Sequence, residues 1–347
     1  MSTRLTASLA LIFFFLAPLA QAVDRTPILH VYTWSDYFDP DVLELFEETY
    51  GCRVALDYFD SNEAMYAKLK AGGGGYDIIT PSSYMSEVMH SQDMLLPIDH
   101  SQIPNLQYID HTTTKNLLQD PEMLYSVSYT RTVSGIGFNR VQIGSLPPTW
   151  GVFGKTGPNR RMTMLNDMRE TIGAALKFLG YRINTIDDKE LEEAGDLLIE
   201  WKANLSKFDV DEAKIGLGSG EFTIIHSYNG DVALIMSENK NIDFLVPEEG
   251  ASVTFDDMVI MADSEKVDLA HAFINHLLDP DNAAANMEGI LYYMPNAAAL
   301  EKLSDDFRNN VAFRIPDAVM EKCEVIHDLG DDNAKYIRVW DRVKAGE

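Results

Sequence analysis

The sequence predicts an α/β protein folded as two lobes, and three observations lead there. Early in the chain, strand-like and helix-like segments alternate as β-α-β-α-β, the order of a mainly parallel sheet with crossover helices. About 325 residues remain after an export leader, more than a single core usually organises. The segments after the expected strands are polar and aromatic, and open parallel sheets bind ligands at the carboxyl ends of their strands.

Residues 1–22 read as the leader. Arg4 supplies the positive charge, Leu9 to Leu19 the apolar run, and Ala20-Gln21-Ala22 the small-residue cleavage pattern, so the mature chain is expected to start at Val23. The apolar run is too short to span a bilayer, and nothing later is long and apolar enough. The only cysteines are Cys52 and Cys323, so no cysteine stands at the cleavage site to accept a lipid. An exported chain without an anchor is retained only inside an outer membrane, which points to a periplasm. The two cysteines are expected as isolated thiols, because spacing alone does not make a pair.

Ile28 to Thr33 is rich in β-formers and leads into Trp34-Ser35-Asp36-Tyr37. Pro40 opens a helix with Val42, Leu45 and Phe46 at helical spacing, and Gly51 closes it. Arg53 to Phe59 alternates as a strand and ends at Asp60-Ser61-Asn62-Glu63. Asn62 to Lys70 reads as a helix stopped by Gly72 to Gly75, and Tyr76 to Thr80 as a strand ending at Pro81-Ser82-Ser83-Tyr84. The glycine run is a turn, since it lacks the Lys-Ser/Thr of a phosphate-binding loop. Further strands are expected at Arg161 to Leu165, Phe222 to His226, Val232 to Met236, Asp243 to Val246 and Met258 to Met261. Helices are expected at Thr171 to Leu179, Asp188 to Leu205 and Leu269 to Leu278.

A hydrophobic content of 46% excludes a disordered chain. The net charge of −26 repels nucleic acid and anionic lipid and attracts cations, although solubility alone also accounts for such a charge. The chain has no HExxH, no GxSxG and no zinc-spaced Cys/His cluster, and His271 and His276 are one residue off helical ligand spacing. No catalytic residue, metal or cofactor is expected.

Taken in order, Tyr32 to Tyr37, Asp60 to Glu63, Tyr76 to Ser82, Gly135 to Asn139, Leu179-Gly180-Tyr181 and Tyr292 to Asn296 resemble the bacterial spermidine/putrescine-binding proteins of ABC importers. The resemblance covers nearly all of the mature chain. It implies the periplasmic-binding-protein type II fold, two α/β lobes joined by a two-strand hinge with the ligand cleft between them. It divides the chain into 23–132 plus 255–300 and 133–254 plus 301–347. Cys52 and Cys323 then fall in different lobes, where a bridge would tether moving parts. The implied partners are a small polyamine and an inner-membrane ABC permease, and the chain is expected to be a monomer.

A polyamine is a methylene chain with ammonium groups, so its site needs buried carboxylates for the charges and aromatic walls for the methylenes. By the resemblance, Trp34 and Tyr37 wall the ligand, with Ser35 and Asp36 as polar neighbours. Ser82 and Tyr84 match the second strand-end loop, where Ser82 is equally suited to cap a helix. Asp167 and Glu170 match the acidic loop of the second lobe, and their spacing is also that of a helix-starting box. Tyr228 and Asp231 match an aromatic-x-Gly-Asp turn. Phe255 and Asp257 match an aromatic-x-Asp motif, with Asp257 the expected ammonium ligand. Tyr292 matches a further wall, with Tyr293 the alternative after a slip of one residue. Two positions depart from the pattern. Ile326 stands where a glutamine is common, leaving His327 to supply a polar contact if one exists, and Arg131 stands where an aromatic is common. A cation there must be turned away or paired. The Ser35-Asp36 pair, Gly230-Asp231 and Phe255 lean towards the putrescine-preferring branch.

Overall fold

A computed structural model describes residues 26–114, 120–157 and 160–346. The leader and the expected start at Val23 lie outside the described residues.

Among the described residues ten strands join in one sheet: β1 (Ile28–Thr33), β2 (Arg53–Tyr58), β3 (Ile78–Ile79), β4 (Val127–Asn139), β5 (Met162–Met164), β6 (Leu205–Phe208), β7 (Ile224–Tyr228), β8 (Ile242–Leu245), β9 (Ser252–Ile260) and β10 (Glu324–Val325). Their order is β2-β1-β3-β9-β4-β7-β5-β6, with β10 beside β9 and β8 beside β4. The expected parallel unit is present: β1 lies parallel to both β2 and β3. A second parallel unit, β6-β5-β7, stands at the other end.

The two units are joined by long strands that belong to both. The first part of β4 pairs antiparallel with β9 from Val127↔Met258 to Val133↔Val253, and its last part pairs with β7 and β8. The end of β9 returns to β3. Each unit has its own core. Leu29, Phe46, Ile78, Tyr129, Phe273 and Met287 pack in one. Trp150, Ile172, Leu198, Trp201, Ile224 and Tyr336 pack in the other. Cys52 lies in the first core, Cys323 packs against the second, and both are free thiols.

Local sequence accounts for the first helix, Pro40–Tyr50. Asp39 Oδ1 accepts from the backbone N–H groups of Asp41 and Val42 at 2.9 and 3.3 Å, and Pro40 sits where the helix needs no donor. Gly51 ends it in the left-handed region, φ 60°, which glycine enters without penalty.

Several elements differ from expectation. Val232 to Met236 is not a strand; it lies in the helix Asn229–Glu238. A run of consecutive apolar residues carries neither period, and tertiary packing decides it. Here Val232 closes on Gly137 of β4, where an added Cβ would stand 2.9 Å from Val232 Cγ2. The helix from Asp188 stops at Lys202, and Leu205 begins β6. Of Tyr76 to Thr80, Ile78 and Ile79 pair as strand.

Candidate functional site

The carboxyl ends of six parallel strands converge on one buried cleft. From the first unit, the end of β1 brings Trp34, Ser35 and Tyr37, the end of β2 brings Phe59, Asp60 and Asn62, and the end of β3 brings Ser82 and Tyr84. From the second, the end of β5 brings Asp167, Arg169 and Glu170, the end of β6 brings Val210, Asp211 and Lys214, and β7 ends in Tyr228, followed by Asp231. Thr132, Thr254 and Asp256 of the connecting strands, with Tyr292 and Ile326, complete the lining.

Asp256 sits at the centre and is 5% exposed. Its Oδ1 accepts from Ser82 Oγ at 2.7 Å, and its Oδ2 accepts from the Tyr37 hydroxyl and, at 3.4 Å, from Thr130 Oγ1. Burial, and then the nearby Asp167 carboxylate, push Asp256 up to about 6. The choice that Ser82 presented is resolved by this contact. Ser82 stands at the N-cap of Ser83–Ser91, but its hydroxyl makes no capping bond and is committed to Asp256.

Asp257, the expected ammonium ligand, faces the other way. A strand's side chains alternate between its faces, so Thr254 and Asp256 point into the cleft while Phe255 and Asp257 point away. Phe255 is buried in the second core. Asp257 accepts from Ser83 Oγ at 2.9 Å and lines a separate small cavity with Asp120 and Ser128.

Asp167 and Glu170 show that a helix-starting box and a cleft acid can be the same residues. Asp167 Oδ1 accepts from the Glu170 N–H at 3.0 Å at the start of the helix Met168–Phe178, and both carboxyls line the cleft. Glu170 also accepts from the hydroxyls of Ser252 and, at 2.9 Å, Thr254. Burial raises both acids, and the Asp167 charge adds to the rise of Glu170, which reaches about 7. Among the described residues, no lysine, arginine or histidine forms an ion pair with Asp167, Glu170 or Asp256.

Asp231 has partners already. The Tyr292 hydroxyl donates to its Oδ1 at 2.7 Å, and Lys214 Nζ stands 3.4 Å from the same oxygen. Gly230 makes this closure possible: an added Cβ would stand 2.7 Å from the Tyr292 ring. Tyr293, the alternative to Tyr292, lies instead under the Arg131 guanidinium, 4.1 Å from its centre. That stacking turns Arg131 out of the lining. Asp36 is also outside the lining, held at φ 57° on the turn, where its charge still acts on Lys214. Ile326 itself forms the wall at its position, and the His327 carbonyl accepts from Arg169 at 2.9 Å.

Sequence reasoning therefore missed Asp256, Thr254, Thr132, Phe59, Arg169, Val210, Asp211 and Lys214. Asp256 and Thr254 were within reach, being neighbours of the motif residues in an alternating strand. Asp211 and Lys214 carried no signal, since their helix, Asp211–Ser219, was not identified.

The pattern of the bacterial extracellular solute-binding proteins matches residues 41–315. The putrescine-binding periplasmic protein SpuD of Pseudomonas aeruginosa is 31% identical over 95% of this chain and 95% of its own. The spermidine/putrescine-binding periplasmic protein of Salmonella typhimurium is 33% identical over 92% of each chain. The solved structure of PotD, the spermidine/putrescine ABC transporter substrate-binding protein of Streptococcus pneumoniae, superposes with a TM-score of 0.79 at 32% identity, covering 92% of this chain and 99% of that one. These relatives are named as binding proteins, PotD as that of an ABC transporter, and this chain shares the type II fold of its solved neighbours. With strand ends, cleft and sequence all in agreement, the chain belongs to the family of bacterial extracellular solute-binding proteins.

Proposed function

We propose that this chain is a periplasmic polyamine-binding protein that captures putrescine or spermidine between its lobes and delivers it to an inner-membrane ABC permease. The observation that carries the proposal is the group of carboxylates, Asp256 and Glu170 buried and Asp167 half-buried, held by hydroxyl and backbone donors and surrounded by Trp34, Tyr37, Tyr84 and Tyr228. Carboxylates raised by burial gain most from a cation that enters with its own donors. An ammonium offers three, and the methylenes between ammonium groups suit aromatic faces.

The acids and rings come from both lobes, so a bridging ligand makes contacts that an opened cleft lacks. Closure is then a shift of population driven by differential affinity. The lobes are taken as 23–132 plus 255–300 and 133–254 plus 301–347, with Leu303 and Phe307 of the later segment packing into the first core. Export by cleavage of residues 1–22 and action as a monomer complete the reading.

Calorimetry on the mature chain with putrescine, spermidine, a neutral amino acid and a sugar tests it. Binding of a polyamine near micromolar strength, about −8 kcal/mol, with none for the others, is the expected result. No heat from either polyamine would overturn it, and recovery of chemically altered polyamine would make the chain an enzyme.

A further inference from the structure

Lys214 lines the cleft from the second unit. It rises from the first turns of the helix Asp211–Ser219, and its side chain is 17% exposed. Its Nζ stands 3.1 Å from Asp211 Oδ1 and 3.4 Å from Asp231 Oδ1. The latter oxygen also receives the Tyr292 hydroxyl, and Tyr292 packs in the first core. The protein thus places its own ammonium against Asp231, in an arrangement that reaches across the cleft. Burial alone would lower the lysine, but Asp231, Asp211 and Asp36 together hold it above its ordinary value, so it is charged.

The cleft is therefore uneven. Asp256 and Glu170 face hydroxyl groups, whereas Asp231 faces a cation. A ligand ammonium brought to Asp231 would meet a like charge at close range, and in a partly dry site such repulsion is weakly screened.

Resting on the polyamine reading above, we propose that Lys214 sets ligand length: its ammonium stands where a further ammonium of a longer polyamine would reach Asp231, so the cleft selects a diamine over a triamine. Specificity here comes from an introduced repulsion as much as from attraction.

The test compares dissociation constants for putrescine and spermidine in the mature wild-type chain, Lys214→Met and Lys214→Arg. Wild type and Lys214→Arg should favour putrescine. In Lys214→Met the preference should move towards spermidine by about tenfold or more, because Asp231 and Asp211 lose their internal cation. Lys214→Gln serves if the methionine variant does not melt cooperatively. A putrescine-to-spermidine ratio unchanged within about twofold overturns the assignment, as does an equal gain for both ligands, which would make Lys214 a general competitor. Wild-type binding of putrescine with an unmoved ratio sinks this proposal alone. Wild-type binding of neither polyamine sinks the functional reading with it.

Discussion

The strand ends of the first lobe bring Trp34, Tyr37, Phe59, Ser82 and Tyr84 to the cleft, with Asp60 at their edge, whereas those of the second bring Asp167, Glu170, Asp211 and Asp231 with Arg169 and Lys214. The rings of the first set pack against other rings. The Trp34 and Phe59 rings lie 4.4 Å apart, and Tyr37 meets Tyr292 edge-on at 5.2 Å. The second set is charged, with Arg169, Glu170 and Asp231 buried and Asp211 exposed, and Arg169 is occupied by the His327 carbonyl and Asn184, leaving Glu170 without an ion-pair partner among the described residues. One lobe supplies most of the aromatic wall and the other, Tyr228 and Val210 apart, most of the charge. Asp256, on a strand shared by both, is the point where the two chemistries meet.

The sharpest way to break this comparison is at that strand. Asp256→Asn removes the central charge and should weaken polyamine binding by about a hundredfold, near 3 kcal/mol, as loss of a buried charged partner does. Asp257→Asn, one residue along and facing away, should change affinity by less than about twofold. Calorimetry on the pair decides which face of β9 carries the ligand.

The acidic lobe should also impose a pH dependence. Bound ammonium favours the ionised carboxylates, so binding should release protons while Glu170 and Asp256 are partly neutral. Affinity should fall about tenfold or more from pH 8 to pH 5.5, through the window set by their values of about 7 and about 6. For the empty protein the sign is opposite. Both folded values lie above the ordinary carboxylate range near 4, so the folded state holds more protons between the two. The stability these groups contribute is present below about pH 4 and is lost as pH rises through 6 and 7. Thermal melts with and without ligand would display the two trends together.

A loss smaller than that of Asp256→Asn is expected where the lobes touch. Tyr292→Phe deletes the hydroxyl bond to Asp231 but keeps the ring, and should cost about 1 kcal/mol, or fivefold in affinity. A loss as large as that of Asp256→Asn would mean that the lobe–lobe contact, and not the charge, dominates.

Much of this was legible in local sequence. Asp39-Pro40 and Gly51 mark a helix through backbone chemistry that needs no tertiary partner. The alternation of β1, β2 and β3 with their helices sets the loops that follow at one sheet edge, so Trp34, Ser35, Tyr37, Ser82 and Tyr84 are legible in the sequence. Asp167 and Glu170 were legible twice over, as a cap and as cleft acids, because a helix start aimed at a cavity satisfies both demands.

What local pattern could not decide was direction and distance. Asp256 and Asp257 are the same chemistry in adjacent positions, and the pairing of β9 with β4, including a register shift between Ser128 and Thr130, determines which one faces inward. The run Val232 to Met236 has no period of its own, so packing against β4 made it helix. Lys214 meets Asp231 across 17 residues and two elements, a contact that exists only once the helix Asp211–Ser219 is docked. The chain alone determined which groups would line up at the ends of β1, β2 and β3, since that follows from backbone periodicity. The folded molecule decided which of them confront one another, since that depends on pleat, register and the docking of elements far apart in sequence.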